Sequence, residues 1–320
     1  LFADWDTMLA EVRPDAVDLC LPNYEHFPAA MDAIAAGCHV YCEKPLGMNA
    51  AECEKMIAAA KAKNLKLAVG FQQEYCPSTE VLVNARNAGF FGDLRFVHGS
   101  LLRRRGTPNW GTYYSRELGG GPVLDILVHL LDVITHVCGR PEPARLSASY
   151  FYGEGKNPCN VFCAAPNWNN RDYDVDLAVA QITFKNKLVV QVETSYVSHL
   201  REDCVYDFKL SGAKGGAWWR NGKEPELYAD RFGAMMNITP AYMPPLGRPD
   251  MFRRKLDSGN PRADGQRGGG SSDEISQGKT LLFQIIVTKM RVSSRPILPE
   301  RAAGLKAQML GARPENSSAA

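Results

Sequence analysis

Ala35-Ala36-Gly37-Cys38-His39-Val40-Tyr41-Cys42-Glu43-Lys44-Pro45 closes a helix, turns at a glycine, runs through four strand-forming residues and stops at a charged pair held by a proline. Residues 26 to 36 before it are helical in composition, with Gly37 as the C-terminal cap. Further upstream, Ala16-Val17-Asp18-Leu19-Cys20-Leu21 is a short strand ended by Pro22. Downstream, Asn49-Ala50-Ala51-Glu52 has the form of a capping box, and an Ala/Lys/Glu-rich helix runs from it to about Lys63. Residues 65 to 69 make a third strand. Strand, helix, strand, helix, strand at this spacing predicts parallel strands with right-handed crossovers. Ligands of such sheets bind beyond the carboxyl ends of the strands. Pro22-Asn23-Tyr24, Glu43-Lys44-Pro45 and Phe71-Gln72-Gln73 are therefore expected to face one crevice.

The remainder reads differently. Residues 121 to 138 carry a helix pattern, and strand candidates follow at 145–150, 176–184, 188–196, 204–210 and 217–219. Phe184-Lys185-Asn186-Lys187-Leu188 has the look of a hairpin turn. Sequential strands with short links favour an antiparallel sheet. The expected class is thus α/β followed by α+β: residues 1–73 hold the parallel sheet, and residues 74–320 a domain with a large, mainly antiparallel open sheet. Residues 253 to 277 are rich in Gly, Arg and Ser and read as a loop opening a divergent tail.

The totals narrow the function classes. Of 320 residues, 45% are hydrophobic and 22% charged, an ordinary globular balance. A net charge of +2 gives neither a nucleic-acid footprint nor a membrane-surface patch. No apolar run approaches the roughly 18–20 residues that span a bilayer. Leu1-Phe2-Ala3-Asp4-Trp5 shows no signal-peptide pattern. Nine cysteines are scattered without a Cys-x-x-Cys; Cys38/Cys42 and Cys159/Cys163 are each four apart. They read as reduced thiols of a cytoplasmic protein, with no metal site.

Several residues could carry chemistry. Lys44 follows a strand, beside Glu43 and ahead of Pro45, whose ring restricts the turn. A lysine in a partly dry crevice can bond a substrate hydroxyl and favour its deprotonation; the bland alternative is an exposed lysine after a strand. Asp125 and His129 stand at i, i+4 and share a helix face. A histidine takes a proton near neutral pH and a carboxylate can orient it. Asp132 and His136 continue the stripe, but four ligands over roughly 16 Å of helix cannot hold one ion, so that pair reads as capping or solvating the helix. Gly119-Gly120-Gly121 ahead of Pro122 lets the backbone turn and come close to a ligand. Arg103-Arg104-Arg105 could meet an anion or simply face solvent. There is no Gly-x-Gly-x-x-Gly opening a helix after a strand, no Gly-x-Ser-x-Gly elbow and no Walker loop.

Together these segments resemble the glucose–fructose oxidoreductase / inositol dehydrogenase (Gfo/Idh/MocA) family. The resemblance rests on Asp15 to Asp18, Pro22-Asn23-Tyr24-Glu25-His26, Ala35 to Pro45, Gly119 to His129 and Ser211-Gly212-Ala213-Lys214-Gly215-Gly216. It implies a Rossmann-type domain, present here in part, an open sheet that pairs subunits into a homo-oligomer, NAD or NADP as cofactor, and hydride transfer with a sugar, inositol or related polyol. By position, Lys44 would bond the reacting hydroxyl, His129 would be the base and Asp125 would orient substrate and histidine. Pro22, Asn23, His26, Glu43, Lys44 and Gln72 would line the cofactor. Arg103, Arg105 and Trp110 would wall the substrate pocket with Asp125 and His129. Three departures stand out: Leu127 replaces a usual glycine, Glu74 stands where arginine is common, and the chain opens at the family's third βα unit. Roughly 55–60 residues with the glycine-rich phosphate loop are expected upstream. The same fold leaves two alternatives, an NAD-using glycosidase and a non-catalytic sugar-binding relative.

Overall fold

A computed structural model describes residues 1–104, 113, 115–152 and 175–240. The first unit contains α1 (Trp5–Val12), β1 (Ala16–Leu19), α2 (His26–Ala35), β2 (His39–Cys42), α3 (Ala50–Ala62) and β3 (Leu67–Val69). Its three strands lie parallel in the order β1-β2-β3, with Ala16 opposite His39 and Val40 opposite Leu67. The expected βαβαβ reading thus matches the observed topology. Asn49 caps α3 by accepting from the Glu52 amide at 3.0 Å. Glu52 reaches back to the Met48 amide at 2.8 Å, one residue further than the simple capping box. Ala29, Ala30, Ala33 and Ile34 of α2 are buried against Val40, Cys42, Cys53 and Met56, so small side chains let the helices lie close on the sheet. Helix α1 is an element beyond those the sequence predicts; Asp4 caps it by accepting from the Thr7 amide at 2.8 Å.

The second unit contains α4 (Pro77–Asn87), β4 (Leu94–Arg103), α5 (Pro122–Asp125), α6 (Leu127–Val137), β5 (Pro143–Phe151), β6 (Leu177–Phe184), β7 (Val189–Ser195), β8 (Cys204–Gly212), β9 (Gly215–Arg220), β10 (Glu226–Arg231) and β11 (Ala234–Ile238). Eight of its strands form one sheet in the order β11-β10-β9-β8-β4-β7-β6-β5. Every neighbouring pair is antiparallel except β4 and β7, which run parallel. The large, mainly antiparallel sheet matches the expectation; β4, between β8 and β7, and β10 and β11 are strands beyond those the sequence predicts, and α4 is a further helix. The one expected helix over 121–138 is two, separated at Ile126 (φ −110°, ψ −33°). Helix α6 buries Leu130, Leu131 and Ile134 against the sheet. Gly99 permits this approach, since a Cβ there would stand 2.7 Å from Ile134 Cδ1. The tail from 253 lies outside the described residues. No helix among the described residues is long and apolar enough to cross a membrane.

Candidate active site

The turn after β2 carries Lys44 toward the second unit. Its Nζ lies 2.6 Å from Asp125 Oδ1 and 3.3 Å from the Asp125 carbonyl oxygen. The two side chains are only 13% and 5% exposed. A pair so dry is worth keeping only when its remaining hydrogen-bonding capacity is met. Tyr196, directly after β7 and fully buried, meets it by donating its hydroxyl to Asp125 Oδ2. Burial, and then the Asp125 charge, push the Tyr196 phenol well above its ordinary value, so it stays a donor. The Arg103 guanidinium lies 5.4 Å from the Tyr196 ring centroid, and Lys44 Nζ lies 5.8 Å from that of Tyr113. Neither tyrosine carried a signal in the sequence; only pairing across the fold reveals them.

His129 opens α6 beside this group. Its ring meets Phe71 edge to face at 6.4 Å, and its Nδ1 is buried without a hydrogen-bond partner. Burial first, and the Lys44 ammonium second, lower its pKa to about 4, with Asp125 opposing and Arg103 adding to the shift. The imidazole is neutral at ordinary pH. The break at Ile126 alters the expected relation of Asp125 to His129: both Asp125 oxygens are engaged by Lys44 and Tyr196, and Asp125 reaches His129 through its charge.

The residues expected to line a cofactor divide into two groups. Pro22 and Gln72 are exposed at the carboxyl ends of β1 and β3, with Glu43 half-buried between them. Gly70 makes room for Glu43, because a Cβ would stand 3.0 Å from Glu43 Oε1. This rim offers an acceptor at Glu43 and an amide at Gln72, groups that could hold the polar edge of a cofactor. Asn23 and His26 are turned inward. Asn23 Nδ2 donates to the Gly119 carbonyl at 3.0 Å. His26 is fully buried, with Nδ1 2.7 Å from the Pro45 carbonyl oxygen and Nε2 2.8 Å from that of Leu21. It ties the turns after β1 and β2 together, and the Lys44–Pro45 bond in that second turn is cis.

Other expectations are corrected or fall elsewhere. Asp132 does not solvate its helix; it is 2% exposed and faces Arg140 at 3.2 Å. Leu127 is buried in the core of the second unit. Arg103 ends β4 within the site, whereas Arg105 and Trp110 lie outside the described residues. Among the described residues, no three His, Cys, Asp or Glu side chains gather as metal ligands.

Residues 1–71 match an oxidoreductase family model with an NAD-binding Rossmann fold, and residues 82–218 match the Gfo/Idh/MocA C-terminal domain. The chain belongs to the Gfo/Idh/MocA oxidoreductase family. This Gfo/Idh/MocA chain is 32% identical over 240 residues to the D-glucoside 3-dehydrogenase of Escherichia coli strain K12, covering 73% of this chain and 67% of that protein. It is 36% identical over 124 residues to the inositol 2-dehydrogenase of Gluconacetobacter diazotrophicus, covering 38% and 35%. A solved levoglucosan dehydrogenase in complex with NADH and levoglucosan shares the fold at TM-score 0.72 and 20% identity, over 92% of this chain and 82% of that one. The alignments to these two curated relatives thus span 35% to 67% of their length.

Proposed function

We propose that this Gfo/Idh/MocA chain is the catalytic part of an NAD- or NADP-dependent oxidoreductase that acts on a hydroxyl-bearing carbon of a sugar, inositol or related polyol. The observation that carries the reading is the meeting of Lys44, Asp125 and Tyr196 beside a neutral, unpartnered His129. Bound nicotinamide would supply the hydride acceptor. Lys44 then donates to the reacting hydroxyl oxygen and favours loss of its proton, and His129 takes that proton. Asp125, held by Tyr196, keeps the ammonium in place rather than acting as the base. Glu43, Gln72 and Pro22 form the cofactor rim; Asn23 and His26 set its shape from behind. Arg103 belongs to the substrate wall, with Arg105 and Trp110 assigned there by family resemblance alone. The division at residues 73/74 belongs to the same reading.

Two finer statements go with it. The seven free cysteines among the described residues suit a reducing, cytoplasmic setting. Phe96 and Val179, 39% and 40% exposed on the large sheet, suit association with a second copy through that sheet. The test is turnover of methyl glucoside, levoglucosan and myo-inositol by the full-length polypeptide with NAD⁺ or NADP⁺, followed as reduced cofactor. Reduction dependent on both Lys44 and His129 is expected. Binding of these sugars without any reduction would overturn the reading in favour of a sugar-binding relative.

A further inference from the structure

A second buried charged cluster lies along α6, apart from Lys44 and Asp125. Arg140 follows the glycine that ends this helix and adopts φ 53°. Its guanidinium bonds the Glu74 carboxylate, lies 3.2 Å from Asp132 Oδ1 and 3.3 Å from His136 Nδ1. His136 Nδ1 is also 3.7 Å from Glu74 Oε2. The Glu74, Arg140 and Asp132 side chains are 14%, 12% and 3% exposed. Burial pushes the Asp132 carboxyl well above its ordinary range and lowers Arg140 to about 10.

Such a cluster is a poor source of stability. Buried ions lose hydration that their mutual attraction barely restores, and apolar replacements often stabilise. Its geometric consequence is clearer. Glu74 belongs to the connection between the first sheet and α4, whereas Asp132 and His136 belong to α6. Asp132 stands one turn beyond His129 on the same helix. The separate bonds from Arg86 to the His136 and Val137 carbonyls, at 2.8 and 2.9 Å, hold the end of α6, whose apolar face is buried in the core of the second unit. Asp132 is thus linked through Arg140 to Glu74, so that α6 is tied to the connection that leaves β3 of the sheet carrying Lys44.

We infer that Glu74, Arg140 and Asp132 are positioning residues that set the orientation of α6, and hence where the His129 ring stands opposite Lys44. The inference rests on the proposed roles of Lys44 and His129. It also assigns a use to Glu74, the residue that departs in charge from the family pattern.

The test compares the full-length protein with Glu74→Gln and with the apolar triple variant Glu74→Met/Asp132→Leu/Arg140→Met. Turnover of methyl glucoside with NAD⁺, thermal melting and the NMR titration of the His129 ring are read together. In Glu74→Gln, kcat is expected to fall about 10- to 100-fold, the scale of a 1 Å misplacement, with KM for NAD⁺ unchanged. The His129 titration is expected to move up from about 4 as its packing against Lys44, Asp125, Arg103 and Phe71 loosens. The triple variant is expected to melt no lower than Glu74→Gln and yet keep the low kcat. A triple variant with full kcat, or a Glu74→Gln protein that loses only melting temperature while the titration stays in place, would overturn the inference. Should the wild type reduce no cofactor with any sugar, the proposed function fails on its own, and the His129 titration still decides the positioning claim.

Discussion

Lys44 and Asp125 are 81 residues apart in the chain and belong to different sheet-bearing units, yet their side chains meet at 2.6 Å. The contact joins the parallel sheet to the helix pair that carries His129. Lys44→Met should therefore have two effects. It leaves a nearly buried carboxylate without its cation, which costs about 3–5 kcal/mol of stability. It also removes the donor to the reacting hydroxyl, so kcat should fall about 100-fold or more. Urea unfolding and steady-state turnover measure the two separately. A variant that keeps wild-type kcat would remove Lys44 from the chemistry.

Tyr196→Phe keeps the ring under Arg103 and deletes only the hydroxyl on Asp125 Oδ2. A buried acceptor left unpaired costs about 1–3 kcal/mol. The freed carboxylate can rotate, so the Lys44 ammonium loses its fixed place and kcat should drop while cofactor affinity holds. NADH fluorescence titration beside initial rates checks this. Equal losses in affinity and kcat would point to a general disturbance of the fold instead.

The His129 pKa of about 4 lies below the 6.5 of an unperturbed histidine. Between those values the unfolded chain binds a proton that the folded chain refuses. The stability gained by keeping the ring neutral is complete above about pH 6.5 and is lost as pH falls toward 4. Urea midpoints should fall over this window, and His129→Gln should flatten the slope. The acid limb of kcat should lie well below pH 6.5, because the base is already unprotonated there. An acid limb at 6.5 would show that the ring is solvated in the working enzyme.

The parallel strands were legible because their residues alternate with helices at fixed spacing and end at Pro22, Lys44-Pro45 and Phe71. Beyond that, local signals gave out where tertiary packing decides. β4 reads poorly as a strand because Gly99 interrupts it, and the glycine is needed only because Ile134 packs there. Asp132 looks solvated on a helical wheel, since its partner Arg140 turns back through a left-handed residue. Asp125 and His129 look like one helical pair until the break at Ile126 turns the carboxylate to Lys44. Tyr196, directly after β7, lies 71 residues from Asp125, and no spacing rule reaches that far. The family resemblance implies His26 as a cofactor-lining residue, and no local signal shows that its ring nitrogens meet the Pro45 and Leu21 carbonyls.

A second contact between the two units runs through Gly119. This residue has φ +90°, its carbonyl accepts from Asn23, and a Cβ would stand 2.6 Å from Met48 Sδ and 2.7 Å from Asn23 Cβ. Asn23 and Met48 follow β1 and β2, so a methyl group at this point wedges the first unit away from the helix pair. Gly119→Ala also forces an L-residue into a disfavoured backbone region, at about 1–2 kcal/mol. If the wedge opens the joint, the Lys44–Asp125 contact is already weakened in Gly119→Ala. Lys44→Met should then cost less stability in that background than in the wild type. A double-mutant cycle with a coupling energy above about 0.5 kcal/mol would bear this out. Strict additivity would mean that the joint tolerates the methyl group and that the two contacts are independent.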